Sequence, residues 1–384
     1  MEERKKILVL ASWYPSRVKP FLGTFVQRQA EAAAKYANMA ALFVISDPDM
    51  KTEYEVESKI INEVFTVNVY YKQAAHPFRK YRKLFKAYKA GWNHVLKHFG
   101  KPDLIHLNIL WPAGLFVYYL KKVLGYKYII TENWTGYLES DGAFQRSGLL
   151  KRTFTRIIGQ NAEMITPVSE DLKNAMIENG LGSKYEVVFN VVDTDLFKPG
   201  IKSNNGNKFT FLHVSTTHDE QKNISGMLQA VKAFSEQNSN FELNIISESD
   251  FSIHEKTAER LGILNKYVFF KNAKQAKGIA EEMKKSDCFL LFSNYENLPV
   301  VILEAMACGL PVISSTAGGV PEHITSEYGL LVPPGDSVAL TQAMGSMINN
   351  RKKYDSDKIR SYALKHFSYE EVGKRFHEVY KKVI

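Results

Sequence analysis

The chain has 384 residues, 45% of them hydrophobic and 24% charged, which is the composition of a soluble globular protein with room for two ordinary domains. No apolar run approaches the roughly 20 residues of a spanning helix. The two cysteines, Cys288 and Cys308, lie in apolar contexts without metal-ligand spacing, so packed thiols in a reducing, cytoplasmic compartment are expected. The net charge of +9 is uneven. Val64 to Pro102 holds no Asp or Glu but many Lys and Arg, whereas Ser286 to Asn350 holds no Lys or Arg.

The opening MEERKKILVLASWYP has the charged tip of a signal peptide, but Ile7–Ala11 is too short for an h-region and reads as a first buried strand. A long loop, residues 12–24, precedes a helix over Phe25–Lys35; strand, loop, helix is the first half of a βαβ unit. Gly23 and Thr24 fall at the helix start, where backbone can approach a phosphate. Ala40–Ser46 and Phe65–Tyr71 read as further strands. In 76–99, Phe78, Tyr81, Phe85, Tyr88, Trp92, Val95 and Phe99 recur at helical spacing opposite a largely Lys and Arg face. Two readings stand: a core-packed helix with a basic solvated face, or a basic amphipathic helix lying on an anionic membrane. No nucleic-acid-binding motif accompanies the basic patch, so a nucleic-acid partner is not expected. Leu104–Leu107 is a strand, Ala113–Leu124 a helix and Tyr128–Thr131 the next strand, followed by the loop ENWTGYL (132–138). His106, Asn133 and Trp134 thereby lie near carboxyl ends of strands; for His106 the alternative is a satisfied buried histidine. Ile165–Ser169 reads as a strand, with Ser169 capping a helix Glu170–Asn179 that Gly180 and Gly182 end. Val187–Phe189 reads as the last strand of the first half, and Lys198–Lys208 as a connecting loop.

The second half opens on a strand, Phe209–Val214, and the loop STTHDEQKN; Leu243–Ser247 and Tyr267–Lys271 read as strands too. CFLLFS (288–293) is a buried strand, Asn294–Asn297 a loop, Leu298–Ala307 a helix with Pro299 in its first turn, and Val312–Ser315 the next strand. The loop 294–297 then sits outside a strand's carboxyl end and before a helix, where N–H groups and the dipole favour an anion. Glu296 lies in that loop, and Glu304 falls about two turns further on the same side. Carboxylates beside an anion site suit hydroxyls, and a nucleotide-sugar offers an anion and hydroxyls together. Gly329–Val332 reads as an edge strand, Ser337–Met347 as a helix, and the end as an amphipathic helix. No G-x-G-x-x-G follows the first strand, which argues against a nicotinamide oxidoreductase.

The stretch YENLPVVILEAMACGLPVISSTAGGVPE (295–322) resembles the E-x7-E segment of retaining GT-B glycosyltransferases of the group 1 family. The resemblance covers most of the chain and is strongest from 286 to 335. It implies that Glu296 contacts the transferred sugar and Glu304 the donor ribose, with Asn297, Leu298, Pro299 and Val300 lining the donor. NVVDTDLF (190–197) resembles the family's N-G-V-D-x-x-x-F linker, with Val191 in place of Gly. The family's G-R-x-x-x-x-K-N loop, whose Arg and Lys clamp the diphosphate, is matched by Lys222 and Asn223. Thr216 and Thr217 stand where the Gly and the Arg would be, so one cationic clamp is missing. Lys274 is a candidate for the missing charge, and Asn272 to Lys274 for the nucleobase. Related enzymes also face the donor with a glycine-containing loop where Gly23 and Thr24 fall. Many carry a histidine where this chain has Asn133, a residue that donates a hydrogen bond but takes no proton.

The fold expected is therefore α/β of the GT-B type: two doubly wound Rossmann-like domains facing a central cleft. Residues 1–190 would form an acceptor-side domain and 191–367 a donor domain, with a last helix over 368–384 crossing back to the first. The expected reaction moves a sugar from a nucleotide-sugar to a glycan or lipid-linked acceptor with retention. The expected catalytic residues are Glu296, Lys222 and Asn133, with His106 and Trp134 on the acceptor side and no cofactor or metal. Alternatives are an epimerase or hydrolase of the same fold, and a non-catalytic membrane-surface protein with a degenerate site.

Overall fold

The computed structural model describes residues 4–73, 76–182, 184–200, 208–272 and 275–384. Lys274, the side chain of Phe78 and most of the connector 198–208 lie outside the described residues. The chain forms two compact units, Met1–Val191 with Tyr369–Ile384, and Val192–Ser368.

The first unit runs β1 (Lys6–Ala11), α1 (Thr24–Ala34), β2 (Asn38–Ser46), β3 (Tyr54–Ile61), β4 (Val64–Tyr71), α2 (Pro77–His98), β5 (Leu104–Asn108), α3 (Gly114–Leu124), β6 (Tyr128–Glu132), α4 (Ala143–Arg146), α5 (Leu149–Gln160), β7 (Met164–Pro167) and α6 (Glu170–Glu178). Its seven strands lie in the order β3-β4-β2-β1-β5-β6-β7. β5 and β6 are buried at every position, as strands covered on both faces must be, and so their sequences read as apolar runs.

Two features differ from the sequence expectations, and a third bears on the two readings left open for α2. β3 is a strand that its sequence, YEVESKII, conceals: it pairs antiparallel with β4 through left-handed Asn62 and Glu63 and has no fully buried residue. An edge strand carrying charge shows no buried face for a periodicity to report. Val187–Phe189 is not a strand, although the Val188 amide donates to the Pro167 carbonyl at 3.1 Å. α2 packs as a core helix along most of its length, with Leu84, Tyr88, Trp92 and Val95 buried and Gly91 set against Leu42 and Val69. Its first turns leave Tyr81 47% exposed among Arg79, Lys80 and Arg82.

The second unit runs β8 (Phe209–Val214), α7 (Asp219–Lys222), α8 (Ile224–Ser235), β9 (Phe241–Ser247), α9 (Ser252–Arg260), β10 (Val268–Asn272), α10 (Ala276–Lys285), β11 (Cys288–Leu291), α11 (Val300–Ala307), β12 (Val312–Ser315), β13 (Gly329–Val332), α12 (Ser337–Asn349) and α13 (Ser356–Phe367). Its six strands are all parallel, in the order β10-β9-β8-β11-β12-β13. The winding reverses between β8 and β11, as it does between β1 and β5 in the first unit. Among the described residues no helix is long and apolar enough to cross a membrane.

The chain then returns to the first unit as α14 (Tyr369–Val383). Gly373 lets it lie directly on α1, since a Cβ there would come within 2.2 Å of the Ala32 carbonyl oxygen. Tyr369 donates to Glu31 Oε2 at 2.9 Å, and Lys35 pairs with Glu370 at 3.1 Å. Deeper in, Tyr380 Oη lies 2.8 Å from His106 Nδ1, and His106 Nε2 lies 2.6 Å from Thr131 Oγ1. His106 is 2% exposed with both ring nitrogens engaged, so it is a core residue and not an acceptor contact, which corrects the sequence assignment. Burial lowers its pKa to about 3.

Burial likewise lowers His213 and His323 to about 4. The unfolded chain binds these protons near pH 6.5 and the native chain does not, so stability is fully present above that pH and is lost as the pH falls towards the folded values. Each such histidine removes about 1.4 kcal/mol per pH unit within that window. The urea unfolding midpoint should therefore drop between about pH 7 and pH 5. His106→Gln should flatten that dependence; an unchanged slope would show that the histidine titrates alike in both states.

Candidate active site

Where the winding of a parallel sheet reverses, the loops leaving the two central strands diverge and open a crevice at their carboxyl ends. In the second unit those strands are β8 and β11. β8 leads into Ser215–His218 and the single turn α7, which ends at Lys222. The chain then turns sharply because Asn223 adopts a left-handed conformation (φ 48°) and caps α8, its side-chain oxygen accepting from the Gly226 amide at 3.2 Å. Asn tolerates that conformation better than most residues, and it is also a preferred N-cap. A Cβ at Gly226 would come within 2.5 Å of Asn223 Oδ1, so Lys-Asn-x-x-Gly is a single steric unit.

β11 leads into the loop Asn294–Asn297, which is tied to α7. The Asn294 amide donates to the Gln221 carbonyl at 2.7 Å, and Asn294 Nδ2 donates to the Glu220 carbonyl at 2.9 Å. This stitching brings Lys222 Nζ into contact with Glu296 Oε1, which also accepts from Ser293 Oγ at 2.7 Å. The two side chains are only 12% and 6% exposed. Gly318 backs the loop: it is left-handed (φ 57°), and a Cβ there would sit 1.8 Å from the Glu296 carbonyl oxygen. The Gly319 amide donates to the Asn297 carbonyl at 2.8 Å.

Asn297 and Leu298 are buried, Pro299 is the N-cap residue of α11 rather than part of its first turn, and Val300 is the first helical residue. Glu304, 5% exposed, is the only charged residue of that otherwise apolar helix. The Cys308 thiol one turn on is pushed up to about 12, by burial first and by the Glu304 charge second, which places the carboxylate beside it. Sequence reasoning missed Arg360 of α13. Its guanidinium donates to the Ala307 carbonyl at the end of α11 at 2.5 Å and to the Phe197 and Thr194 carbonyls at 3.1 and 3.2 Å. Nothing local in the sequence signals this, because its partners lie 53 to 166 residues away.

Thr216 is exposed and Thr217 half-buried in the loop after β8, and the Thr217 carbonyl accepts from His254 Nε2 at 3.1 Å. His213, fully buried at the end of β8, was also missed. Asn272 ends β10 and lines a depression of 460 Å³ with Ile246, Lys271 and Gln275.

Within the first unit, Gly23 is left-handed and is required by packing: a Cβ would meet the Trp13 carbonyl at 2.5 Å. Thr24 opens α1. The Asn133 and Trp134 amides both donate to Glu132 Oε1 at 2.9 Å, while Glu132 Oε2 accepts from the Leu110 amide at 3.0 Å. Burial raises the Glu132 pKa against these donors. Glu132 thus shapes the loop, and Lys151 Nζ stands 5.1 Å from the Trp134 ring centroid and 5.7 Å from that of Trp111. Among the described residues, no cluster of three or more His, Cys, Asp or Glu side chains is placed to hold a metal ion.

Family models match both units: "Glycosyltransferase Family 4" over residues 22–196 and "Glycosyl transferases group 1" over 196–366. The chain is 25% identical over 382 residues to an uncharacterized glycosyltransferase of Methanocaldococcus jannaschii, covering 98% of this chain and 99% of that one. It is 30% identical over 198 residues to the amylovoran biosynthesis glycosyltransferase AmsK of Erwinia amylovora, a match spanning 50% of this chain and 48% of that protein. Anabaena HepE in complex with UDP and glucose shares the fold at a TM-score of 0.73 and 17% identity, covering 99% of this chain and all of the other. Two doubly wound α/β units, a lysine and a glutamate joined at the second unit's winding reversal, and family models matching from residue 22 to 366 lead to one assignment: the chain is a GT-B glycosyltransferase of the group 1 family.

Proposed function

We propose that the protein is a retaining glycosyltransferase. It moves a sugar from a nucleotide-sugar to a glycan or lipid-linked acceptor in the assembly of an envelope or capsular polysaccharide. The observation that carries this reading is the contact of Lys222 with Glu296 across the loops leaving β8 and β11. The ammonium is held ready by a carboxylate of the loop that precedes α11. A sugar diphosphate entering there takes Lys222 as its counter-ion and leaves Glu296 to bind sugar hydroxyls, while Glu304 binds the ribose. Catalysis is then chiefly positioning and stabilisation of the departing diphosphate, and the lysine does what a metal ion would otherwise do. The leaving phosphate takes the acceptor proton on the face from which it departs, as retention requires. Asn133 and Trp134 serve the acceptor in the first unit. Support for the substrate class comes from AmsK, named for amylovoran biosynthesis, and from HepE, whose structure holds UDP and glucose.

The reading also places the enzyme in the cytoplasm, peripheral to the inner face of the membrane. Exposed Tyr81 with Arg79, Lys80 and Arg82 on α2 makes one patch suited to anionic lipid.

Glu304→Ala should weaken donor binding about 10- to 100-fold by calorimetry, the loss expected for hydrogen bonds to a charged group. Lys222→Ala should lower kcat/KM by about 100-fold or more with kcat falling in step, and Glu296→Gln should lower kcat while the fold persists. Unchanged kcat in the lysine variant would remove the proposed charge stabilisation. Full activity in excess EDTA is expected, and turnover without acceptor would favour a hydrolase or epimerase. Co-sedimentation with vesicles containing phosphatidylserine should be lost on charge reversal at Arg79, Lys80 and Arg82; equal binding to neutral vesicles would dispose of the lipid patch.

A further inference from the structure

We propose that His213 is a positioning residue that takes up a proton when a sugar diphosphate enters the loop Ser215–Lys222, supplying the positive charge that Thr217 cannot. This rests on the reading that the loop receives the donor diphosphate.

Donor and acceptor chemistry fixes the direction of each hydrogen bond around His213. A carbonyl only accepts, so His213 Nδ1, 2.9 Å from the Leu290 carbonyl oxygen, carries a hydrogen. On the other side, Ser215 Oγ lies 2.6 Å from His213 Nε2 and 2.7 Å from the Thr216 carbonyl oxygen. A hydroxyl has one hydrogen to donate. With a neutral ring it can serve Nε2 or Thr216, not both. With Nε2 protonated, the ring donates to Ser215, Ser215 donates to Thr216, and every partner is satisfied.

His106 has a different set of partners. There Thr166 donates to the Ile130 carbonyl at 3.1 Å, so Thr131 donates to Thr166 at 2.5 Å, and His106 Nε2–H donates to Thr131. Its Nδ1 is left to accept the Tyr380 hydroxyl hydrogen at 2.8 Å. That relay closes with a single ring proton. The relay at His213 closes with two.

The surroundings explain why the second proton waits for ligand. His213 is buried, and the ionisable groups that bear on it are Lys222 of α7, held in turn by Glu296 of the loop after β11, and His254 of α9. Burial and the Lys222 charge hold the free ring neutral, with its pKa near 4. Lys222 is the one permanent cation among these groups and is already paired with Glu296, so a diphosphate with two negative charges would enter a site short of cations. Its arrival offsets the lysine and brings the countercharge that an imidazolium needs. One solvent proton moves to Nε2, and no other bond changes. The Ser215 hydroxyl is then committed to Thr216, which fixes the loop around the ligand.

The test is titration calorimetry with UDP-glucose, GDP-mannose and ADP-glucose, whose diphosphates do not titrate near neutrality, in buffers of different ionisation enthalpy. Donor binding should be accompanied by uptake of up to about one proton near pH 6, and affinity should fall by up to about tenfold per pH unit as the pH rises. His213→Asn, which keeps a donor for Leu290 but takes no proton, should still bind and lose the pH slope. Ser215→Ala, on the partly exposed loop, should lose at least about half of the uptake and covers the case in which the first variant does not fold. His218→Gln should leave the uptake in place. If no sugar nucleotide binds the wild type, the donor reading falls and this proposal with it. Binding without proton uptake, or uptake that persists in His213→Asn, overturns the role of His213 alone.

Discussion

The contact between Lys222 and Glu296 is the constraint around which the second unit's loops are arranged. Two charges at 12% and 6% side-chain exposure have lost most of their hydration. Either alone would be costly by several kcal/mol, and even as a pair they return little net stability. A buried ion pair is thus poor glue, so the loops must hold it rather than be held by it. The Asn294 bonds to Gln221 and Glu220, the left-handed turn at Asn223 and the close seat of Gly318 under Glu296 already fix their backbones. On the proposed function the pair has a use: an ammonium kept at a fixed address by a partner that an incoming anion can replace.

The sequence made this pairing legible only through resemblance. Lys222 and Glu296 are 74 residues apart, and no periodicity links them. Strands were readable where both faces are covered, as in CFLL and VISS, because coverage leaves an unbroken apolar run. β3 was not, since an edge strand with alternating charge has no buried face to show. His106 was misplaced for a related reason. Its place near a strand's carboxyl end is a local fact, whereas its burial under Tyr380 depends on a helix 274 residues later. Arg360 and His213 escaped notice on the same grounds, as each acts through partners that only the folded chain supplies.

Glycines divide into those the fold demands and those the ligand reading asked for. Gly23 was singled out for phosphate approach, yet the Trp13 carbonyl alone forbids a side chain there. A glycine that packing already requires gives no independent sign of a ligand. The sequence assigned no role to Gly318 and Gly319, but they press directly on the backbone of Glu296 and Asn297. Close packing of a glycine thus bears on the second unit's loop more than on the first unit's, because a side chain on Gly318 would displace Glu296.

By the family resemblance Thr217 stands where an arginine would, and that departure has a physical form. An arginine would bring a permanent charge and a rigid fork of donors. In its absence, the loop is held by histidines: His213 through Ser215, and His254 through the Thr217 carbonyl. A buried imidazole can be neutral when the site is empty and charged when it is filled, which a guanidinium cannot. The empty loop then avoids an unpaired buried cation, whose desolvation would be uncompensated. The cost moves to the bound state, where the ligand's own charge offsets it. Loss of the arginine need not mean a degenerate site, because a charge that appears only with its counter-ion can do the same work.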